Sequence, residues 1–131
     1  MSFWDSSALA PLCTNEPRSI NAGKLWKQFT QKFVWWESSI EISSALARLE
    51  RENKISMQQR LKAEKRLEIL ETVWVEIQPE ARIKELAKTF PVKYKMKAAD
   101  SLQLASAMIW CREQPKGKDF VSGDKKLIRS C

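Results

Sequence analysis

Ser2-Phe-Trp-Asp-Ser-Ser-Ala-Leu-Ala-Pro-Leu-Cys13 opens with a short aromatic run, passes through one acid and continues as a segment of helical character. Ala8, Leu9 and Leu12 share one helical face, so the stretch reads as a strand, Ser2–Asp5, followed by a helix, Ser6–Cys13. The same plan recurs along the chain. Phe33-Val-Trp-Trp36 is an apolar run of strand type, followed by a helix capped by Ser38 or Ser39 and running to about Asn53. Val73–Ile77 is a third strand, and Pro79 then sits near the first turn of a helix reaching about Thr89, where a missing N–H costs little. Phe120-Val-Ser122 is a fourth strand, with a last helix expected over Lys125–Arg129. Between these lie a helix from Pro17 to about Phe29 and a charged helix from Met57 to about Glu71. The latter is capped by Ser56, with Leu61, Leu67 and Leu70 facing inward. A strongly helical segment covers Ala98–Cys111. Strands alternating with helices, over connections too long for hairpins, predict an α/β fold: a three-layer α/β/α sandwich around a parallel sheet.

A length of 131 residues suits one domain spanning 1–131. The apolar runs are too short to span a bilayer, and the start of the chain has no basic stretch of signal-peptide type, so a cytoplasmic protein is expected. Three cysteines, Cys13, Cys111 and Cys131, lack CxxC spacing and suggest reduced thiols rather than a zinc site. The chain has no histidine, which excludes Ser-His triads, Cys–His dyads and HExxH zinc sites together. Hydrolysis would have to rest on carboxylates, Lys, Ser or a metal. A net charge of +7 suits a polyanionic partner, although surplus charge also simply keeps proteins soluble.

In open parallel sheets, ligands bind beyond the carboxyl ends of the strands, and this rule gives four acids their interest. Asp5 closes the first strand, and it equally reads as the N-cap of the next helix. Glu41 follows Ser38 at capping-box spacing, yet Ser44 and Ala45 beside it leave room for something to approach. Asp100 has Met96, Gln103, Leu104 and Ala107 as same-side neighbours, which places it on an apolar, inward face. First-turn placement against the helix dipole would account for it there, but a buried carboxylate is costly without a cation or hydrogen bonds. Asp124 follows Phe120-Val-Ser-Gly123 and also reads as an N-cap. Gathered together, four carboxylates could not all ionise without a divalent cation, and hard oxygen ligands select Mg²⁺ or Mn²⁺ over zinc.

Phe3-Trp-Asp-Ser-Ser-Ala-Leu9, Glu41-Ile-Ser-Ser-Ala-Leu-Ala-Arg48, Ala98-Ala-Asp-Ser-Leu-Gln-Leu-Ala105 and Phe120-Val-Ser-Gly-Asp-Lys-Lys-Leu127 resemble the successive motifs of PIN domains. The resemblance is strongest to the VapC ribonuclease toxins of prokaryotic type II toxin–antitoxin systems, and its four blocks occur in order over nearly the whole chain. It implies a PIN-like fold, Mg²⁺/Mn²⁺-dependent endoribonuclease activity on RNA, a homodimer and inhibition by a cognate antitoxin. It places the catalytic, metal-binding acids on Asp5, Glu41, Asp100 and Asp124, with polar helpers at Ser6 or Ser7 and at Ser122. Asp119 is a rival for the fourth acid, though it should lie at the strand entrance. The chain ends at Cys131, short of the final strand of many relatives, so the sheet is expected to lack an edge.

The mechanism this implies is metal-assisted hydrolysis of an RNA phosphodiester, with Ser122 bonding water or ligand. Lys93, Lys95, Lys97, Lys125, Lys126 and Arg48 would grip the substrate, unless they form only a solvated surface. The tryptophans read mainly as core. Trp35 and Trp36 must face opposite sides of their strand, so at least one is inside. An antitoxin tail would occupy a groove between the second helix (Leu25, Trp26, Phe29) and the helix after Ser38. It would bring an Arg to the acids. A catalytically inactive PIN-fold module that binds RNA or a partner is the alternative. A phosphoacceptor domain lacks its second acid here, and nucleases acting on DNA flaps are larger.

Overall fold

Ser2, Phe3 and Trp4 are all fully buried, which alternation alone permits only in a strand covered on both faces and flanked on both edges. The computed structural model describes residues 1–113, 119–122 and 127–129, and it has that arrangement. The first strand, β1 (Ser2–Trp4), lies between β2 (Lys32–Trp35) and β4 (Asp119–Val121), and β3 (Val75–Ile77) adds beyond β2. All these pairs are parallel, with Phe3 opposite both Phe33 and Phe120. A fifth strand, β5 (Leu127–Arg129), pairs antiparallel with β4 and completes the order β3-β2-β1-β4-β5.

That strand corrects two expectations. Residues 127–129 are extended rather than helical, and the sheet has its edge strand after all. Three residues are too few for periodicity to separate helix from strand, and pairing with Asp119–Val121 decides between them. Lys125 and Lys126 lie outside the described residues.

The helices divide between the faces. On one side α1 (Ser6–Cys13), α2 (Ser19–Lys27), α3 (Ser38–Arg51) and α4 (Met57–Glu71) enclose Trp4, Leu9, Val34, Ile42, Leu46 and Leu67. Across the sheet α5 (Ala81–Ala87), α6 (Phe90–Tyr94) and α7 (Ala98–Glu113) close over Phe3, Trp35, Ile83, Phe90 and Trp110. Phe3 stacks on Phe120 at 5.6 Å, while Trp4 meets Trp26 edge-on at 5.0 Å, so successive residues of β1 anchor opposite cores. Trp35 is buried and Trp36 exposed, as their alternation requires.

Local details depart from the sequence reading. The helix after Pro79 breaks at Lys88, and Pro91 then opens α6, which ends at a left-handed Lys95. Leu61 of α4 is half exposed, whereas Ala63 and Leu67 carry the inward face. Cys13 is a buried free thiol, but Cys111 is disulfide-bonded. An odd count rules out complete pairing and still leaves room for one pair. Among the described residues no helix is long and apolar enough to cross a membrane.

Candidate functional site

The chain runs β1, β2, β3 outward in one direction and returns to place β4 on the other side of β1. A sheet that reverses its strand order in this way opens a crevice at the carboxyl ends of the strands flanking the reversal. Asp5 and Ser122 stand immediately after β1 and β4, and Glu37 two residues after β2, at that end. The Asp5 backbone N–H donates to the Val121 carbonyl at 3.1 Å, fixing the first and fourth of these strand ends together.

Asp5 is the N-cap of α1, and its Oδ1 accepts from the Ala8 N–H at 3.1 Å and the Ser7 hydroxyl at 2.6 Å. The cap reading therefore holds, and it also aims the carboxylate over the strand ends. Burial pushes the Asp5 carboxyl above the usual aspartate range, against hydrogen bonds from Ser7, Ala8 and Ser122 that pull it down.

Glu41 does not close a capping box. α3 begins one residue earlier, with Glu37 as an N-cap that makes no side-chain bond, and Ser38 is buried within the first turn. The Glu41 carboxylate turns to tertiary partners instead. Its Oε1 accepts from Gln103 Nε2 at 2.8 Å, and its Oε2 accepts from the Ser6 hydroxyl at 3.2 Å. Burial raises the Glu41 carboxyl, Gln103 and Ser6 oppose that, and the neighbouring Glu37 adds to it. Since Ser6 adjoins Asp5, one hydroxyl ties the acid after β1 to the acid of α3.

Two residues here escaped the sequence reading. Glu37 has a buried Oε1 with no hydrogen-bond partner, and Gln103, which donates to both Ser38 and Glu41, has a buried Oε1 likewise unpartnered. The signal for Glu37 was present: it lies two residues past the end of β2, near the carboxyl end that Asp5 occupies after β1. Gln103 gives none alone, because only tertiary packing brings α7 against α3.

Asp100 is exposed, not inward. Its helical neighbours Gln103 and Ala107 are buried, but Asp100 itself stands uncovered in the first turn of α7. It remains one turn ahead of Gln103 on the same side of α7, and Ala99 lines a shallow concavity of about 370 Å³ with Glu37, Glu41 and Arg48. Asp124 lies outside the described residues. Asp119 opens β4 opposite Ser2, at the amino ends of the strands, so it stands away from the other acids. Lys93, Lys95, Lys97 and Arg48 are exposed.

Among the described residues no three acidic or sulfur side chains converge closely enough to hold an ion alone. The donor chemistry nonetheless fits a hard cation. The acceptors presented are all oxygens, two carboxylates are desolvated, and two buried acceptors lack donors, each an expense of about 1–3 kcal/mol that a cation would offset. Mg²⁺ is commonly held by one or two carboxylates with water and phosphate oxygens in the remaining positions.

A second concavity, of about 420 Å³, adjoins the site. Its walls are α1 and α2, with Ala8, Pro11, Ala22 and Leu25 facing each other, and Ser122 closes the end nearest Asp5. Its lining residues come from β1, α1, α2 and the end of β4 and include Leu25 of the second helix, while α3 packs on α1 and α4.

No known family profile matches the sequence, and no curated protein matches it. Solved structures do. The chain superposes on the crystal structure of VapC20 of Mycobacterium tuberculosis, a sarcin–ricin loop cleaving toxin, with a TM-score of 0.65 and 19% identity over 84% of this chain and 83% of that one. A toxin–antitoxin complex from Klebsiella pneumoniae matches with a TM-score of 0.61 and 17% identity, over 84% of this chain and 80% of that one. Identities this low establish the fold, which is the PIN-like α/β fold expected from the four motifs.

Proposed function

We propose that this protein is a Mg²⁺- or Mn²⁺-dependent endoribonuclease acting as the toxin of a type II toxin–antitoxin pair. The observation that carries the reading is the junction of Asp5 and Glu41. Two desolvated carboxylates from different elements are tied through Ser6 at the carboxyl ends of parallel strands, in a chain of net charge +7. The activity named for the first structural neighbour and the assembly named for the second support RNA as the proposed substrate class and an antitoxin as the proposed partner.

Asp5, Glu41, Asp100 and Asp124 would hold the metal. When bound, a divalent ion supplies a water of lowered pKa and neutralises charge developing on a phosphodiester. The chain's own groups set the frame for it. Ser7 and the Ala8 N–H fix the Asp5 carboxylate, Ser6 and Gln103 fix that of Glu41, and Ser122 bonds Asp5 from the end of β4. Arg48 and the lysines ahead of α7 would meet the flanking phosphates. The reading extends to a homodimer and to an antitoxin whose Arg competes for the carboxylates.

The test is direct. Purified protein should cleave RNA with Mn²⁺, lose all cleavage in excess EDTA, and lose it again as Asp5→Asn with its fold retained, since Asn caps a helix about as well as Asp. Induction in cells should arrest growth, and co-expression of the neighbouring small open reading frame should restore it. Undiminished cleavage in EDTA would end the metal reading. RNA binding without cleavage in the intact protein would favour the inactive module.

A further inference from the structure

The groove between α1 and α2 is not used by the chemistry above, yet it begins at Ser122, the residue that bonds Asp5. Its floor is apolar, with Trp4, Leu25 and Val121 beneath it. Asn21 of α2 and Gln28, the C-cap of that helix, stand seven residues apart, so two amides fall on one side with Leu25 between them. Arg18 and Lys24 rise at the same wall, and all four of these polar residues are exposed.

An apolar floor between two amides, rimmed by cations and opening onto a hydrolytic site, has the chemistry of a nucleotide pocket. Single-stranded RNA is read by splaying a base out of its stack, packing its face on apolar groups and bonding its edge to side-chain amides. Asn and Gln offer a donor and an acceptor side by side, as a base edge requires. Arg and Lys match the phosphate beside it. A volume of about 420 Å³ is in the usual range for a small-ligand pocket and ample for one nucleotide.

We infer that the α1–α2 groove is the subsite for the base next to the scissile phosphate, with Asn21 and Gln28 reading its edge and Arg18 and Lys24 holding its phosphate. The inference rests on the nuclease reading and deepens it, by locating sequence preference in α2.

The experiment uses the full chain and the double variant Asn21→Ala/Gln28→Ala, both changes being at exposed positions. Cut ends are mapped on a randomised single-stranded RNA, and binding of short labelled oligoribonucleotides is measured in EDTA. We expect wild type to prefer one base at one position flanking the cut. The double variant should compress that preference about tenfold and weaken binding of the preferred oligonucleotide to a similar degree. Lys27→Ala, exposed on α2 and outside the groove, should keep the preference intact. An unchanged preference in the double variant overturns the inference, as does an equal loss over all sequences, which would mean a phosphate contact only. If wild type cleaves nothing, the nuclease reading fails. The subsite then stands only if base-dependent binding in EDTA is lost in the double variant, and it falls otherwise. If the variant loses a co-purified small protein while RNA preference and binding are unchanged, the groove holds a peptide and the inference is overturned.

Discussion

Ser56-Met-Gln-Gln59 and Ser38-Ser-Ile-Glu41 carry the same spacing of hydroxyl and long polar side chain at the start of a helix, and the fold uses them differently. At α4 the Ser56 hydroxyl accepts from the Gln59 N–H at 3.0 Å, and the Ser56 N–H donates to Gln59 Oε1 at 2.7 Å. Both partners are at the surface, with nothing to compete for them. At α3 the equivalent serine is buried beneath Gln103, the helix starts one residue early, and the Glu41 carboxylate is bonded by Ser6 and Gln103. A local motif yields when tertiary partners offer a buried acid more than its own N-cap does. The acid withheld from capping is the one bonded by Ser6, the residue next to Asp5. Where a capping box fails to form, the diverted side chain is a candidate for function.

The largest test of that contrast is Glu41→Gln. If Glu41 is diverted to hold a metal, the loss of its charge should reduce RNA cleavage on the order of 10²–10³-fold, since transition-state charge stabilisation by such ions is worth several kcal/mol. The helix itself should keep its stability, because Glu41 does not cap it. Equal loss of thermal stability and activity, measured by calorimetry beside a cleavage assay, would return Glu41 to a structural role.

Next in size is Gln103→Leu, which removes the donor holding Glu41 while preserving side-chain bulk. We expect a roughly 10–100-fold loss of apparent Mn²⁺ affinity, the usual consequence of losing the partner that orients a metal ligand. An accompanying destabilisation of about 1–3 kcal/mol should follow from leaving the Glu41 carboxylate less satisfied. Destabilisation with unchanged Mn²⁺ affinity in a metal titration would show that Gln103 serves only the core.

What could be read from the chain, and what could not, follows the same division between local and tertiary causes. Asp5 was legible because its strand, its cap and its place at a strand end are set by one consecutive stretch, Ser2–Cys13. The doubly covered sheet was legible because each of β1 to β3 is separated from the next strand by helical sequence, and the fate of the paired tryptophans followed from alternation. Asp100 was expected to face inward and is exposed, because helical periodicity reports which residues share a side, not how deeply each of them is covered. Gln103 became visible only when α7 met α3, through Ser38 and Glu41. β5 is three residues long, and its partner strand, not its own sequence, makes it extended.

Ser56→Ala provides the converse of the Glu41 test. It removes a capping box that is formed, at a surface remote from the acids, and should cost about 1 kcal/mol, or roughly 3–5 °C in melting temperature. Cleavage per folded molecule should be unchanged. A loss of activity from this substitution would mean that α4 takes part in the site, and the distinction between the two serine motifs would no longer hold.

The smallest effect concerns pH, and its sign is what matters. Burial raises the folded-state carboxyls of both Asp5 and Glu41 above their ordinary values of 3.8 and 4.5. A group raised in this way binds its proton more tightly folded than unfolded. Its stabilising contribution is therefore complete below the ordinary value and is lost as pH rises through the raised one. In EDTA, wild type should lose stability over that interval relative to Asp5→Asn/Glu41→Gln, whose amides do not titrate, and the difference should level off at higher pH. Mn²⁺ at neutral pH should reverse the order, raising the melting temperature of wild type and leaving the double variant where it was, because the ion binds only the deprotonated pair. Parallel melting curves for the two proteins across pH, with and without Mn²⁺, would show that these carboxylates are ordinary solvated acids. The contrast between the diverted acid of α3 and the capping glutamine of α4 would then be one of geometry alone.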